Sequence, residues 1–360
     1  MRRTGTADLP LHWGQAPRWL FRRMVALSEA ILWALADAFG TKGVLERLSD
    51  PHWFQALGCL LGFDWHSSGL TTTTCGALKE ALKRVGPELG LFAAGGKGAA
   101  SRRTPEEIAK LASAVALEPE PLVYASRMTA KVDSACLQDG YQLYHHALFF
   151  DREGRWCVIQ QGMDPTTHMA RRYHWISEGL SSFVEEPHTA VVGARRRGIL
   201  NLVAREAAPA RETIPELVRR PPKETLEELR RIPTLVMPHR HRIVSSADLS
   251  PRGMRKVLLS LYERAPRNFQ EVLATPGLGP KSLRALSLVS ELIWGAPASA
   301  RDPARFAYAH GGKDGTPYPV DRATYDKTIA SLRKAILQAK TGRRERLEAL
   351  RRLHRLFPEP

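Results

Sequence analysis

Apolar residues at helical spacing dominate the start of the chain. Six of them would share one face of a first helix: Leu20, Met24, Leu27, Ile31, Leu35 and Phe39. Separations of three and four residues bring side chains onto the same side of a helix. Pro17 suits the first helical position and Gly40 suits a left-handed helix end, so the sequence predicts a helix from about Pro17 to Phe39.

Signals for the starts of further helices follow. Asp50 followed by Pro51 is typical of a helix start, and residues 75–85 again have helical spacing. Thr104, with Glu107 three residues later, has the pattern of a capping box, in which two side chains bind free N–H groups at the start of a helix. The front of the chain is therefore predicted to be mainly helical.

The pattern changes to strands after residue 120. Residues 141–150 are rich in strand-forming side chains, residues 151–154 have turn composition, and residues 156–161 form the partner strand of a β-hairpin. Shorter strands are predicted over residues 189–192 and 199–203. The N-terminal region is thus predicted to be α+β, with helices around a small sheet that contains a central β-hairpin.

Proline content and helical periodicity divide the chain into three predicted parts. Residues 1–205 form the α+β domain. Residues 206–242 contain six prolines and one short charged helix, Thr225 to Arg230, which is typical of a connector. Residues 243–360 are predicted to form an all-α domain.

Positive charge is concentrated in the second half of the chain. The protein has 53 lysines and arginines against 37 acidic residues, a net charge of +16. Residues 1–180 carry a net charge of +2 and residues 181–360 one of +14. A cationic half indicates a polyanionic partner, so we predict nucleic-acid binding there and chemistry in the front half.

Composition excludes several other classes of protein. With 43% hydrophobic and 25% charged residues, the chain is neither a disordered tail nor a fibre. No apolar run is expected to reach the length of about 18 residues that a membrane span needs. The four cysteines form no closely spaced pairs. We therefore predict a cytoplasmic protein without a membrane partner, and the sequence carries no signal for its oligomeric state.

The strongest motif lies at residues 269–294, where two apolar helical stretches flank the sequence Pro-Gly-Leu-Gly-Pro-Lys. This segment resembles the helix-hairpin-helix motif of DNA repair and recombination proteins. Gly277 permits a tight turn, Leu278 fills the space between the helices, and Gly279 opens a helix whose free N–H groups can bind phosphate beside Lys281. A hairpin of this kind contacts backbone rather than bases, and in related families its carbonyls also hold a monovalent cation.

A hairpin that serves only for packing is the alternative. If the segment binds DNA, the aromatic and basic residues that follow it could extend the contact. The candidate backbone contacts are Gly277, Gly279, Lys281, Arg284, Arg305, Lys313, Arg343 and Arg344.

Candidate catalytic groups cluster around the predicted β-hairpin. Carboxylates and a histidine could hold Mn²⁺ or Mg²⁺, and the candidate ligands are Asp133, Asp139, Glu185, Glu186 and His188. The candidate catalytic side chains are His145, His146, Lys131 and Gln160. Successive residues of a strand face opposite sides, so only one of His145 and His146 can enter a common site.

The whole chain resembles the domain-of-unknown-function 763 family. The likeness rests on six segments: residues 3–14, 53–69, 131–146, 169–175, 183–190 and 309–322. The resemblance implies an N-terminal catalytic domain like the ParB-type nuclease fold, followed by a helix-hairpin-helix region. It also implies divalent-metal-dependent cleavage of single-stranded or branched DNA.

Residues and resemblance together favour a DNA nuclease that acts on single-stranded, flap or forked DNA. Two alternatives from other classes stay open. A DNA-binding accessory protein of repair or recombination would bind with the same salt dependence but without turnover. An RNA-processing enzyme would prefer structured RNA over DNA.

Overall fold

The fold is mixed α+β, built on a five-stranded antiparallel sheet. The computed structural model describes residues 9, 11, 16–62, 68–232, 251–304, 322–338 and 349–351. The sheet has the order β1-β3-β4-β5-β6, with strands β1 (Leu91–Lys97), β3 (Gln142–Asp151), β4 (Trp156–Asp164), β5 (Met169–Ile176) and β6 (Ala190–Val192). A second, two-stranded sheet pairs β2 (Leu137–Gln138) with β7 (Leu200–Asn201).

Helices cover the sheet and continue beyond it. In the described residues the α-helices are α1 (Arg18–Ser49), α2 (Pro51–Leu61), α3 (Ser68–Leu89), α4 (Ala99–Arg102), α5 (Thr104–Ser113), α6 (Pro119–Lys131), α7 (Ala208–Arg219), α8 (Pro222–Arg231), α9 (Pro251–Arg264), α10 (Phe269–Ala274), α11 (Pro280–Leu292) and α12 (Arg322–Gln338). A π-helical turn, Val132–Cys136, follows α6, and a short 3₁₀ turn, Arg205–Ala207, precedes α7.

The predicted helix starts at the front of the chain are confirmed, with one extension. Asp50 Oδ1 accepts hydrogen bonds from the backbone N–H groups of His52 and Trp53, at 2.8 and 2.9 Å, and so caps α2. Gly40 has a φ of 66° and interrupts α1, as expected of a left-handed helix end. A further helical stretch follows it without a loop, so α1 continues to Ser49.

The capping box predicted at the start of α5 is wrong. Thr104 Oγ1 donates to the carbonyl oxygen of Ser101 at 2.7 Å instead of capping the helix. Glu107 Oε2 accepts from the N–H of Gly95 at 2.8 Å and from Lys79. A tertiary ion pair has therefore replaced the local cap, and it joins α5 to β1 and α3.

The predicted β-hairpin is confirmed as strands β3 and β4. Phe150 pairs with Trp156 next to the turn, and His146 pairs with Gln160 farther along. A bulge between Leu143 and His145 shifts the register near the start of β3. This end of the hairpin carries the polar residues of the candidate site.

The segment predicted as a connector is helical in its described part. Helices α7 and α8 bury Ile214, Leu217 and Leu229. Pro209 and Pro222 do not break these helices because they lie in first turns, where the missing N–H has no partner to lose. Pro215 lies inside α7, which nevertheless continues to Arg219. Residues 233–250 lie outside the described residues.

Two apolar layers enclose the sheet. Helices α1, α2, α3 and α12 pack on one face, where side chains such as Phe149 and Ile159 are buried. On the other face Leu148, Val158 and Trp175 belong to one cluster that runs through α5 and α6 into α7–α11. The described parts of the predicted front and rear domains therefore share one hydrophobic core.

Helix α1 is the single helix in the described residues that is long and apolar enough to cross a membrane by length and composition. Half of its apolar stretch is buried inside the fold. Met24, Ile31 and Leu35 are among its buried side chains, and they pack in the same cluster as α2 and α3. The core helix of a soluble protein has the same composition. A cytoplasmic location and the absence of a membrane partner stay predictions.

Candidate functional site

A wide helical turn holds Asp133 inside the protein. Residues Val132–Cys136 form a π-helix, a conformation that occurs mostly as single turns and often at functional sites. Asp133 is fully buried in this turn. Its carboxylate accepts hydrogen bonds from Gln160 Nε2 at 2.6 Å, Trp175 Nε1 at 2.9 Å and His188 Nε2 at 2.5 Å. One carboxylate thus connects β4, β5 and the loop before β6.

The side chain of Gln160 links Asp133 to His146 by hydrogen bonds. A carboxylate only accepts hydrogen bonds, so Gln160 turns its NH₂ group toward Asp133 and its oxygen toward His146. Gln160 Oε1 lies 2.8 Å from His146 Nδ1. An amide oxygen also only accepts, so Nδ1 carries the proton and Nε2 of the neutral ring is unprotonated. Nε2 lies 2.9 Å from Ser126 Oγ, which donates to it.

A cavity of about 670 Å³ adjoins this series of hydrogen bonds. Ser126, His146 and Gln160 all line it, so the series ends at the cavity wall. Much of the remaining lining is apolar and comes from α6, β3 and α10. Three cationic side chains also line the cavity: Arg102, Arg127 and Lys131. The cavity therefore holds an imidazole with an unprotonated nitrogen next to three positively charged side chains.

Burial alters the protonation of two of these groups. It lowers the pKa of His146 below its ordinary value, although the hydrogen bond to Gln160 and the charge of Asp133 act in the opposite direction. Burial also lowers the pKa of Lys131. Because charged imidazolium is disfavoured in this position, His146 is neutral near pH 7 and its Nε2 can accept a proton.

The strand register decides between the two candidate histidines. His146, Leu148 and Phe150 alternate onto the face that carries Asp133, whereas His145 has the parity of Ala147 and Phe149, which belong to the opposite layer. His145 also lines the cavity, next to the bulge at the start of β3. Burial lowers the pKa of His145 to about 3, and neither ring nitrogen has a hydrogen-bond partner in the described residues. The histidine that is hydrogen-bonded to the buried network of the site is thus His146.

Asp139 lies in a separate ion cluster. Its carboxylate accepts from Arg171 at 2.8 Å and from the hydroxyl of Tyr173 at 2.7 Å. Arg171 also binds Asp302 at 2.7 Å and the carbonyl oxygen of Ala194 at 2.5 Å. Arg171 and Asp139 are fully buried. This cluster joins β5 to the segment that follows α11.

The two neighbouring glutamates bind arginines near the surface. Glu185 pairs with Arg211 at 3.1 Å, and Glu186 pairs with Arg301 at 3.2 Å. Glu186 also lines a second cleft of about 550 Å³, together with His188. Neither glutamate is among the hydrogen-bond partners of Asp133.

The predicted metal ligands are therefore not brought together. No group of three or more His, Cys, Asp or Glu side chains is arranged to hold a metal ion in the part of the chain that the structure describes. Of the five candidates only Asp133 and His188 are in contact, and the oxygens of Asp133 already accept from three nitrogen donors. A divalent ion does not fit this arrangement. A requirement for Mn²⁺ or Mg²⁺ stays a prediction.

The glycine-rich bend between α10 and α11 lies at the surface. Gly277 has a φ of 81°, the left-handed conformation that the tight turn requires. Leu278 is buried between the helices, whereas Gly277 and Lys281 are exposed. A Cβ atom added at Gly277 or Gly279 would meet nothing within 4 Å. The bend is therefore open on its outer side, and the predicted monovalent cation there stays a prediction.

One predicted phosphate contact has a structural partner instead. Arg284 Nε donates to Gln138 Oε1 at 2.8 Å, and Gln138 Nε2 donates to the carbonyl oxygen of Pro280 at 2.8 Å. These bonds attach the start of α11 to β2, so Arg284 is engaged within the fold. The other four candidates, Arg305, Lys313, Arg343 and Arg344, lie outside the described residues.

The bend also borders the cavity. Leu273, Ala274 and Pro276 line the cavity together with Ser126 and the three cations. Lys131 Nζ donates to the carbonyl oxygen of Thr275 at 3.4 Å. The helix pair is thus attached at the mouth of the cavity, next to the π-helical turn.

Comparison with known proteins identifies the family. Its sequence model matches residues 5–320, most of the chain. The protein belongs to the DUF763 family, described as proteins of unknown function. No curated protein and no solved structure matches this DUF763 chain.

The central residues of the site in this DUF763 protein fall into two groups. Asp133, His146, Gln160 and His188 were candidates from the sequence, although with other roles for Asp133 and His188. Ser126 and Trp175 were missed, as was Arg171 in the separate ion cluster of Asp139. Ser126 lies inside α6 without any motif around it in the sequence. Only the tertiary contact of its hydroxyl group with His146 on β3 identifies it as part of the site. Arg171 and Arg172 are adjacent in the sequence, and this pair was a signal that could have pointed to β5.

Proposed function

We propose that this DUF763 protein is a nuclease that cleaves phosphodiester bonds in single-stranded or branched DNA. The observation that carries the proposal is the hydrogen-bonded series Ser126–His146–Gln160–Asp133, which ends in a cavity lined by three cations. The proposal includes the finer fold assignment, a ParB-type nuclease likeness in the front part and an all-α helix-hairpin-helix region in the rear part.

The charge of the cavity supports an anionic substrate. Arg102, Arg127 and Lys131 line the same space as His146. Guanidinium and ammonium groups bind phosphate oxygens and stabilise the negative charge that develops as phosphorus is attacked. Lys131 is half-buried, and this burial lowers the pKa of its ammonium group. Charges act more strongly in such surroundings than at an open surface.

The shape of the cavity supports an unpaired strand. Its volume of about 670 Å³ is suited to a nucleotide rather than to a duplex. Apolar walls from Met128, Leu143 and Leu273 suit a base, and the exposed ring of Tyr124 at the same cavity offers a stacking surface. The open bend between α10 and α11 would bind the backbone beside it.

His146 is the proton carrier in this proposal. Its unprotonated Nε2 is hydrogen-bonded to Ser126 at the cavity wall. This nitrogen takes a proton from the group that attacks phosphorus. Asp133 and Gln160 hold the ring in the tautomer that makes this possible. Lys131 and the two arginines bind the phosphate and offset its developing charge.

A cleavage assay tests the function directly. Purified full-length protein is incubated with end-labelled single-stranded, flap, forked and duplex DNA, and with structured RNA, each with Mn²⁺, Mg²⁺ or chelator. We expect cleavage of single-stranded and branched DNA above duplex. Salt-dependent binding without turnover under every condition would indicate the accessory protein instead, and preferential cleavage of RNA would indicate the RNA-processing enzyme.

The exposed bend predicts a separable binding defect. The double variant Gly279→Val, Lys281→Glu should bind single-stranded DNA about tenfold more weakly at moderate salt, because a cation is replaced by an anion and a side chain blocks the helix start. Gly279 has ordinary extended backbone angles and open space around it, so the fold should tolerate valine. Fluorescence anisotropy at several salt concentrations measures the effect.

The matched control for this double variant is Lys256→Glu on α9, an exposed charge reversal of the same size. It should change the affinity less than the double variant does. Equal affinities for the two variants would show that the bend is not the contact.

A further inference from the structure

Among the cavity-lining residues that the structure describes, Ser126 is the one whose hydroxyl group has a base beside it. Its Oγ donates to His146 Nε2 at 2.9 Å, and its side chain lines the cavity. Two other serines in the lining use their hydroxyl groups differently. Ser101 donates to the carbonyl oxygen of Gly98 at 2.6 Å, and Ser134 to that of Lys131 at 3.3 Å.

The buried network predetermines the direction of the Ser126–His146 bond. Asp133 orients the Gln160 amide, Gln160 places the proton of His146 on Nδ1, and Nε2 is left to accept. The Ser126 hydroxyl must therefore donate to the ring. A hydroxyl bonded to a neutral imidazole, with a third group that orients the ring, is the arrangement that activates serine nucleophiles.

Resting on the proposed function, we propose that Ser126 is the nucleophile and that cleavage passes through a phosphoserine intermediate. Ser126 Oγ attacks phosphorus and its proton moves to His146 Nε2. The phosphorus–oxygen bond to the departing strand breaks, and that strand takes the proton from His146. Water then attacks phosphorus and gives a proton to Nε2. The bond between Oγ and phosphorus breaks, and Ser126 regains its proton.

A covalent complex between protein and DNA tests the intermediate. Cleavage of strands labelled at the 5′ or the 3′ end is quenched in denaturant at early times. We expect one of the two labels to stay on the protein, and peptide mass spectrometry to place the adduct on Ser126. An adduct on His146, or cleavage without any adduct together with an active Ser126→Ala variant, would overturn the proposal.

The Ser126→Ala variant should lose about 10³-fold or more of the cleavage rate, since removing a nucleophile of this type is among the largest single losses in catalysis. Ser134→Ala is the matched control. It removes a hydroxyl from the same cavity that has no imidazole beside it, and it should keep the rate of the unaltered protein.

A fluorophosphonate probe separates the nucleophile from the substrate assignment. Attack by Ser126 Oγ displaces fluoride, with the serine proton taken up by His146, and forms a stable phosphonate ester without any DNA. We expect labelling of the unaltered protein and of Ser134→Ala, and none of Ser126→Ala or His146→Gln.

The outcomes of the probe and the cleavage assay are distinguishable. Labelling at Ser126 without cleavage of any nucleic acid would support the nucleophile and remove the nuclease assignment. Cleavage with no labelling, no adduct and an active Ser126→Ala variant would keep the nuclease and remove the nucleophile. The labelling of unaltered protein does not depend on the folding of any variant.

Discussion

Replacing His146 with glutamine is expected to slow DNA cleavage by about 10³-fold. Glutamine has nearly the same reach and can still bind Ser126 and Gln160, but it cannot take up a proton. The loss should therefore fall on kcat, with KM nearly unchanged, because the cations that bind the substrate are untouched. Steady-state kinetics on labelled single-stranded DNA measures both quantities.

The pH dependence of the unaltered protein gives a second readout for His146. Burial lowers the pKa of this ring below 6.5, so the reactive neutral form predominates at pH 6.5 and above. The acidic limb of kcat against pH should accordingly lie below pH 6.5 and disappear in His146→Gln. A limb above pH 7 would contradict the assignment. His145→Gln is the control and should keep the limb, because the His145 ring has no hydrogen bond to the series in the described residues.

Replacing Arg171 with alanine is expected to destabilise the fold by about 3–5 kcal/mol, the usual cost of removing one partner from a buried ion pair. The side chain is fully buried and binds Asp139, Asp302 and the carbonyl oxygen of Ala194. Without it, Asp139 keeps only its bonds from the hydroxyl of Tyr173 and the N–H of Tyr141. Urea unfolding at pH 7 measures the loss.

The deficit of Arg171→Ala should shrink as the pH falls. Burial already raises the pKa of Asp139 in the folded protein, and the charge of Arg171 opposes that rise. Removing the arginine raises the pKa further, so the folded variant binds a proton more tightly than the unfolded chain does. Such a group stabilises the fold at low pH and loses that contribution as the pH rises through its folded-state pKa. Repeating the titration at pH 5 tests the sign.

The control for this variant is Arg84→Ala. Arg84 pairs with Glu29 at 3.0 Å but is largely exposed to solvent. Exposed pairs contribute little because water already solvates both charges. An equal loss in the two variants would mean that burial of the Arg171 cluster does not matter.

Local chemistry determined several elements that the sequence alone could predict. Asp50 caps α2 through its own side chain, and Gly40 interrupts α1 because it can adopt a left-handed conformation. Strands β3 and β4 follow from strand-forming residues on both sides of a tight turn at Asp151–Gly154. In each case the deciding interactions lie within a few residues along the chain, so the local pattern is sufficient.

Strands β1 and β5 could not be predicted from the local sequence, because tertiary contacts determine them. The β1 sequence contains two alanines and two glycines, which are poor strand formers, and its pairing with β3 makes it a strand. In β5, Arg171 and Arg172 point to opposite faces and are both buried, a pattern that is acceptable only where partners are present on both sides. Glu107 likewise reaches Lys79 and Gly95 instead of its own helix start.

By itself the sequence determined the mixed α+β class, the hairpin and most of the polar residues around it. Only the tertiary structure decided that His146 rather than His145 faces Asp133, that Asp139 belongs to another cluster, and that Ser126 is the partner of the imidazole. Hydrogen bonds across a sheet join residues far apart in the chain, and their choice of partner depends on strand register and burial, which no local spacing encodes.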